Sequence, residues 1–156
     1  MSYIIIVLDG VVFISANASS IWDDNYVKYG PNFAWTGRSR TNFGLFYSKQ
    51  EDNPWLQIHL QTIILYGVTV INRKDYSGQY LKNLEVRGGM ENELGNQVVG
   101  YFKGPGFTNG EHFIPFGRAV KVAYITFQIN ERKYWLIING ITVHPVRSTY
   151  DLYCLH

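Results

Sequence analysis

Arg73 and Asp75 are the residues of this chain whose types and spacing most directly suggest binding chemistry. An arginine guanidinium is a planar fork of hydrogen-bond donors, and a carboxylate two residues away can hold that fork through a charge-assisted pair. A fork held in this way can donate to the oxygen atoms of a ligand. The alternative is a pair that only holds its own loop in place, as half-exposed ion pairs commonly do.

The other reactive residue types form no catalytic or metal-binding pattern. The histidines lack the spacing of a metal motif, and Cys154 close to His156 is not a nucleophile motif. The stretch from Gly104 to Gly110 has the wrong spacing for a phosphate-binding loop, and no helix is expected after it. The sequence therefore predicts no enzyme, no catalytic residue, no metal site and no cofactor.

Charge and cysteine content limit the classes of partner. A formal net charge of +2 over 156 residues gives no basic field that could hold a polyanion, so nucleic acid is not an expected partner. Cys154 is the sole cysteine, which excludes an internal disulfide and leaves intermolecular pairing, and with it a homo-oligomer, open. No apolar run reaches the length of about 18 residues that a membrane span needs, so no membrane span is expected.

The N-terminal stretch has features of a signal peptide but is interpreted as structure. It is apolar and ends in the small-residue pattern Ala16-Asn17-Ala18, yet it carries no Lys or Arg before that point and has Asp9-Gly10 in its middle. Asn17-Ala18-Ser19 is a glycosylation sequon that matters only on the secretory path. The localisation stays open between extracellular and intracellular.

Short apolar runs, separated by turn residues, must position the candidate site. The chain has 12 Tyr, 9 Phe and 4 Trp, residue types that favour pleated, half-buried strands, and no segment keeps a helical apolar period. The predicted strands are residues 3–8, 11–15, 55–60, 65–71, 81–86, 98–102, 118–129 and 134–143. This pattern predicts an all-β sandwich or barrel, and the length suits one domain over residues 1–156.

Four segments resemble the F-type lectins, the fucose-binding branch of the discoidin or coagulation-factor C-type domains. Residues 72–86 are similar to the signature loop of that family, Asn-Arg-x-Asp, two cysteines and Gly-x-Arg-Leu-x-Asn-x-Glu-Val. Residues 34–43, 52–60 and 116–122 are similar to its Ala-x-Asp-Gly-Asn loop, its Asn-Pro-Trp-Trp-x-Val-Asp-Leu strand and its Gly-Arg-Tyr-Val-x-Ile strand, in the same order. The resemblance implies a jelly-roll β-sandwich of the discoidin-like, galactose-binding-domain-like type, which binds through loops at one end.

Two dipeptides predict local irregularities in the strands. Asp9-Gly10 lies between two apolar runs and favours the positive φ angles of a two-residue hairpin turn. Asn139-Gly140 gives the same local signal. There, however, the resemblance implies one continuous strand, so we expect a bulge at Gly140 instead of a hairpin.

The resemblance also implies a sugar site that keeps only part of the family's chemistry. Arg73 and Asp75 match the family pattern, whereas Tyr76 replaces a cysteine, Tyr80 replaces a second arginine and Phe46 replaces a histidine. Of the three sugar-gripping donors only Arg73 remains, and aromatic side chains are expected to surround it. The candidate ligand-binding residues are Arg73, Asp75, Phe46, Tyr47, Tyr76 and Tyr80.

The calcium site of the family is expected to be lost. Thr36 stands at the aspartate of the calcium loop, and Arg38 and Arg40 stand at the ligand positions that follow. Guanidinium groups are incompatible with a divalent cation but can donate to the same loop carbonyls. Arg38 and Arg40 are therefore predicted to replace the ion structurally, and the alternative is that both simply face solvent.

Two functional hypotheses follow. The first is a lectin-like recognition or adhesion module that binds a glycan or glycoprotein through an altered site for which fucose is not the expected ligand. The second is an interaction or assembly subunit that docks a protein partner, because Tyr and Arg are enriched in protein recognition hot spots.

Overall fold

A computed structural model of the chain describes residues 6–8, 10–36, 44–92, 94 and 96–147. Arg38, Arg40 and Cys154 lie outside these residues. The predictions that fall on these three residues therefore stay predictions.

The fold is built mainly from antiparallel strands. The strands are β1 (Ile6–Leu8), β2 (Val11–Ala18), β3 (Phe46–Tyr47), β4 (Trp55–Ile71), β5 (Leu84–Gly89), β6 (Val98–Phe102), β7 (Glu111–Ile129), β8 (Ile137–Ile138) and β9 (Gly140–Pro145). One sheet has the order β1-β2-β4-β7-β5-β6, with β9 also paired to β4, and β3 pairs with β8 in a second, small sheet. Short helices, α1 (Tyr26–Tyr29) and α2 (Phe33–Thr36), and single 3₁₀ turns at Trp22–Asp24 and Gly78–Tyr80 complete the described elements.

The long strands β4 and β7 organise the sandwich. Their pairing shifts register between His59 and Ile63 and again between Leu65 and Gly67. Bulges of this kind bend a strand and increase its twist. The first half of β4 accordingly pairs with β2, and the second half pairs with β9. The predicted strands 55–60 and 65–71 are therefore two halves of one strand.

The core lies between the halves of these bent strands. Leu56 and Ile58 from the first half of β4 and Val68 and Val70 from the second half are fully buried in one apolar cluster. Burial of such a side chain stabilises the fold by roughly 1.5–3 kcal/mol relative to leaving it exposed. The all-β sandwich predicted from the sequence is confirmed, and its packed core provides a rigid base for the loops. No helix in the described ranges is long and apolar enough to cross a membrane.

Both predicted irregularities can be located. Leu8 pairs directly with Val11, and Gly10 has φ 78°, so the two-residue hairpin is confirmed. At the second dipeptide, Ile138 pairs with Phe46 in the small sheet whereas Gly140 pairs with Ile71 in the large one. The expectation of one continuous strand with a bulge at Gly140 is therefore wrong: the strand breaks at Asn139, where the chain passes from one sheet to the other.

Two other predicted strands have different bounds. Residues 81–86 form a strand only from Leu84 onward, because Asn83 has φ 47°, outside the extended region. The strand predicted over 118–129 begins earlier, at Glu111, because β4 continues as its partner to Ile71. The extra residues of β7 end next to the loop that carries Arg73.

Candidate ligand-binding site at the loop end

Two loops, residues 72–83 between β4 and β5 and residues 103–110 between β6 and β7, are joined by hydrogen bonds. The buried Asn72 side chain donates to the Gly78 carbonyl at 2.7 Å and to the Phe107 carbonyl at 3.1 Å. The Asn109 backbone N–H donates to the Arg73 carbonyl at 2.8 Å. A buried amide that satisfies two carbonyls of different loops fixes them relative to each other. The two loops therefore form one scaffold.

Gly78 lets these loops approach closely. A Cβ atom built on this glycine would lie 2.2 Å from the Thr108 backbone nitrogen and 2.4 Å from the Phe107 carbonyl carbon. No side chain can occupy that space without moving backbone. The Gly78 N–H instead donates to the Thr108 hydroxyl at 3.0 Å.

The predicted pair of Arg73 and Asp75 is present and is bidentate. Arg73 Nε donates to Asp75 Oδ1 at 2.6 Å, and Nη2 donates to Oδ2 at 2.9 Å. The Asp75 carboxylate also accepts from the Tyr76 backbone N–H at 2.8 Å. Arg73 is only 5% exposed, and two of its donors are already used by Asp75 inside the protein.

The electrostatics of the pair follow from its burial and its geometry. Burial of the guanidinium acts to lower the pKa of Arg73, but the hydrogen bonds and charge of Asp75 outweigh it and the pKa is raised. The hydrogen bonds from Arg73 lower the pKa of Asp75 despite partial burial of the carboxyl. Both groups are thus charged over the whole physiological range.

Aromatic rings cover the guanidinium. Arg73 Cζ lies 4.4 Å from the ring centroid of Tyr76 and 5.5 Å from that of Tyr47, both within cation–π range. Tyr47 in turn contacts Trp22 at 5.0 Å and Tyr29 at 5.6 Å between ring centroids. Burial raises the pKa of the Tyr47 hydroxyl, although Arg73 opposes this. Tyr76 is 63% exposed, so a ligand arriving at this end meets its ring.

Tyr80 lies on the other side of a narrow crevice. Its ring contacts Trp135 at 5.7 Å and Tyr134 at 5.9 Å, and it shares with Arg73 the lining of this crevice. Burial, together with Glu131 and Tyr80, raises the pKa of Tyr134 to about 12. The Trp135 indole N–H is buried and has no hydrogen-bond partner among the described residues. The crevice has no room even for a water molecule, so a sugar ring cannot enter it.

Phe46 has a different place from the one predicted. It was expected beside Arg73 as a ligand contact, but it is fully buried in the core. Its neighbour Tyr47 is the half-buried residue that faces Arg73. Successive side chains of a strand point to opposite faces, so only one of the two can be at the surface.

Four aromatic residues of this region were not predicted: Trp22, Tyr29, Tyr134 and Trp135. They come from the segment before β3 and from the segment before β8, far from Arg73 in sequence. No local motif marks them, and only the tertiary fold brings them to the site. Their high intrinsic preference for binding surfaces is the one signal that the sequence offers.

Nothing in the described residues indicates a metal site. No group of three or more His, Cys, Asp or Glu side chains within those ranges could hold an ion. The calcium-replacing roles of Arg38 and Arg40 fall outside the described residues, and they stay predictions.

Comparison with solved structures identifies the fold. A fucolectin from striped bass (Morone saxatilis) superposes with a TM-score of 0.75 at 22% identity, over 85% of this chain and 47% of the fucolectin. This chain has the discoidin-like fold. An F5/8 type C domain from Bacteroides fragilis gives a TM-score of 0.70 at 16% identity, over 86% of this chain and 92% of that domain.

A fucose binding module from Streptococcus pneumoniae gives a TM-score of 0.64 at 15% identity, over 90% of this chain and 99% of the module. The chain thus spans about half the length of the fucolectin and nearly the full length of the two bacterial modules. No family model matches the sequence, and none of the curated proteins matches it either. The predicted jelly-roll sandwich is confirmed.

Proposed function

We propose that this chain is a carbohydrate-binding, lectin-like recognition module whose ligand packs on Tyr76 instead of gripping Arg73. The observation that carries the proposal is the Tyr76 ring, which is 63% exposed and lies against the Arg73 guanidinium at 4.4 Å. Asp75 holds that guanidinium by two hydrogen bonds. The ion pair then serves as the base of an exposed aromatic surface, on which the C–H face of a sugar ring can pack.

The fold supports this proposal. A fucolectin and a fucose binding module have the same fold as this chain. In our proposal, residues 1–156 form one such module with no catalytic role. Fucose is not the ligand we propose, because Arg73 Nε and Nη2 already donate to Asp75 and Tyr80 stands where the family has a second arginine. A glycan or glycoprotein with an apolar ring face fits this surface better.

The test is a glycan array with the purified protein, followed by calorimetry with the best-bound sugar. Tyr76→Ala should weaken binding by more than about 1 kcal/mol, the usual threshold for an important contact. Tyr101→Ala is the matched control, because Tyr101 is also exposed but lies on β6 and hydrogen-bonds Asn83. Equal loss in both variants, or no glycan bound by the wild type, would contradict the proposal.

A second candidate function is docking of a protein partner. The short helix α1 exposes Val27 at 88% and Tyr26 at 67%, and its residue Tyr29 contacts Tyr47 beside Arg73. Exposed apolar and aromatic side chains next to the loop end favour a protein interface. Light scattering of the wild type and of Val27→Glu tests self-association as one form of this docking. A monomer at every concentration would exclude the homo-oligomer.

A further inference from the structure

We infer that a groove on the outer face of the large sheet is a second saccharide-binding site, which takes a neutral sugar. The groove is an open depression with a volume of about 160 Å³, below the roughly 300–1,000 Å³ of clefts that enclose drug-sized ligands, so it fits a small ligand such as a single sugar residue. Its lining shares no residue with the crevice at the loop end. This inference goes beyond the proposed function, because it concerns a different surface and different side chains.

Strand register brings the groove side chains together. The strands β2, β4 and β7 are adjacent, and two rows of paired polar residues, separated by one apolar row, lie across them. These rows are Ser15, His59 and Tyr124, and Asn17, Gln57 and Thr126. The intervening row contains Ile58 and Ile125, which are fully buried in the core. Because side chains alternate along a strand, the two polar rows lie on the face away from the core.

The base of the groove is fixed in place. His59 and Tyr124 stack with ring centroids 4.2 Å apart and planes 9° from parallel. Gln57 is only 7% exposed, and its Nε2 donates to the Thr126 hydroxyl at 3.1 Å. Stacked rings and a buried amide lose little freedom when a ligand binds, which lowers the entropic cost of binding.

A glycine on β5 lets Asn96 approach the sheet beside the groove. Gly89 pairs with Tyr124, and a Cβ atom built on it would lie 2.6 Å from Asn96 Oδ1. Asn96 Nδ2 donates to the Glu91 carbonyl at 2.6 Å. Asn96 therefore lies close to the sheet at this point, and Asn92 lines the groove.

The chemistry of the lining selects a neutral, polyhydroxylated ligand. Among the described residues, no Lys, Arg, Asp or Glu lines the groove, and the nearby Arg87 on β5 is paired with Glu85 at 2.8 Å. These residues offer no countercharge to an anion or a metal ion. Amides and hydroxyls that both donate and accept, beside aromatic rings, match the alternating hydroxyls and C–H surface of a sugar.

The test is an NMR titration of the full chain with methyl glycosides of galactose, glucose, N-acetylglucosamine and mannose, and with a sulfated disaccharide as the charged comparison. At least one neutral glycoside should shift the Asn17, Gln57 and Asn92 side-chain amide signals saturably. Asn17→Ala and Asn92→Ala should each weaken that binding about fivefold, as expected when one hydrogen bond is lost. Both residues are exposed, so the fold should survive their replacement.

Two controls keep this site separate from the loop end. Gln61→Ala removes an exposed amide from the same strand outside the groove and should leave binding unchanged. Tyr76→Ala should leave the groove titration unchanged even if it abolishes binding at the loop end. The inference is overturned if no neutral glycoside shifts the groove signals, if the shifts vanish in Tyr76→Ala, or if only the sulfated sugar binds.

Discussion

At the scale of single residues, the sequence predicts charge pairs better than it predicts which side chain faces a ligand. The pair of Arg73 and Asp75 follows from residue type and short spacing alone, whereas its bidentate geometry is a finding of the structure. Phe46 was placed wrongly because matching a sequence position does not say which face of β3 that position takes. Trp135 joins the site through long-range folding, which no local pattern encodes.

Replacement of Asp75 tests the charge pair. Asp75→Asn should lower the free energy of unfolding at pH 7 by roughly 2 kcal/mol, between the values for exposed and buried pairs, because Arg73 loses its charged partner. The folded-state pKa of Asp75 lies below the ordinary value of 3.8. The wild-type advantage should therefore be complete above that pH and should disappear as the pH falls through the folded-state pKa. Urea unfolding at pH 7 and in the acid range measures both effects.

Asp24→Asn is the matched control for this prediction. Asp24 pairs with Lys49 at 2.7 Å, but both side chains are largely exposed. Exposed pairs contribute little to stability, so this variant should unfold like the wild type at both pH values. Equal stability of Asp75→Asn and wild type at pH 7 would show that the Arg73 pair does not hold the loop.

At the scale of elements, strand positions were predictable and strand ends were not. Apolar runs marked the positions of β2, β4, β5, β6 and β7. Their ends depend on partners far away in sequence: β7 begins at Glu111 because β4 extends to Ile71. The loops between these strands are joined by the buried Asn72 amide, a contact that no turn signal announces.

Substitution of Gly78 tests the junction of the two loops. Gly78→Ala would place a Cβ atom 2.2 Å from the Thr108 backbone nitrogen, so the loops must move apart. We expect a loss of roughly 1–3 kcal/mol in the free energy of unfolding, the usual cost of overpacking, together with weaker ligand binding at Tyr76. Gly117→Ala is the control, since a Cβ atom there meets nothing within 4 Å. Chemical denaturation and sugar titration of both variants provide the comparison, and matching results for the two would refute the close packing.

At the scale of the whole molecule, the fold was predictable because several independent signals agreed. Strand-length apolar runs, aromatic content and four segments in order all indicated one sandwich, and the superposition with known modules agrees with them. The binding surfaces were less predictable, because they combine side chains from non-adjacent elements. The outer groove joins residues of β2, β4 and β7 with the β5–β6 connection.

The final prediction concerns calcium and the stability of the whole module. Because Thr36, Arg38 and Arg40 stand at positions where the resembling family has oxygen ligands for the ion, we expect millimolar calcium to leave the melting temperature unchanged. A tight site would raise it, since an ion that binds only the folded state stabilises that state by linkage. Thermal unfolding in calcium and in a chelator measures the difference, with magnesium as the control for ionic strength. A rise specific to calcium and reversed by the chelator would show that oxygen donors elsewhere in the chain have replaced the lost ligands.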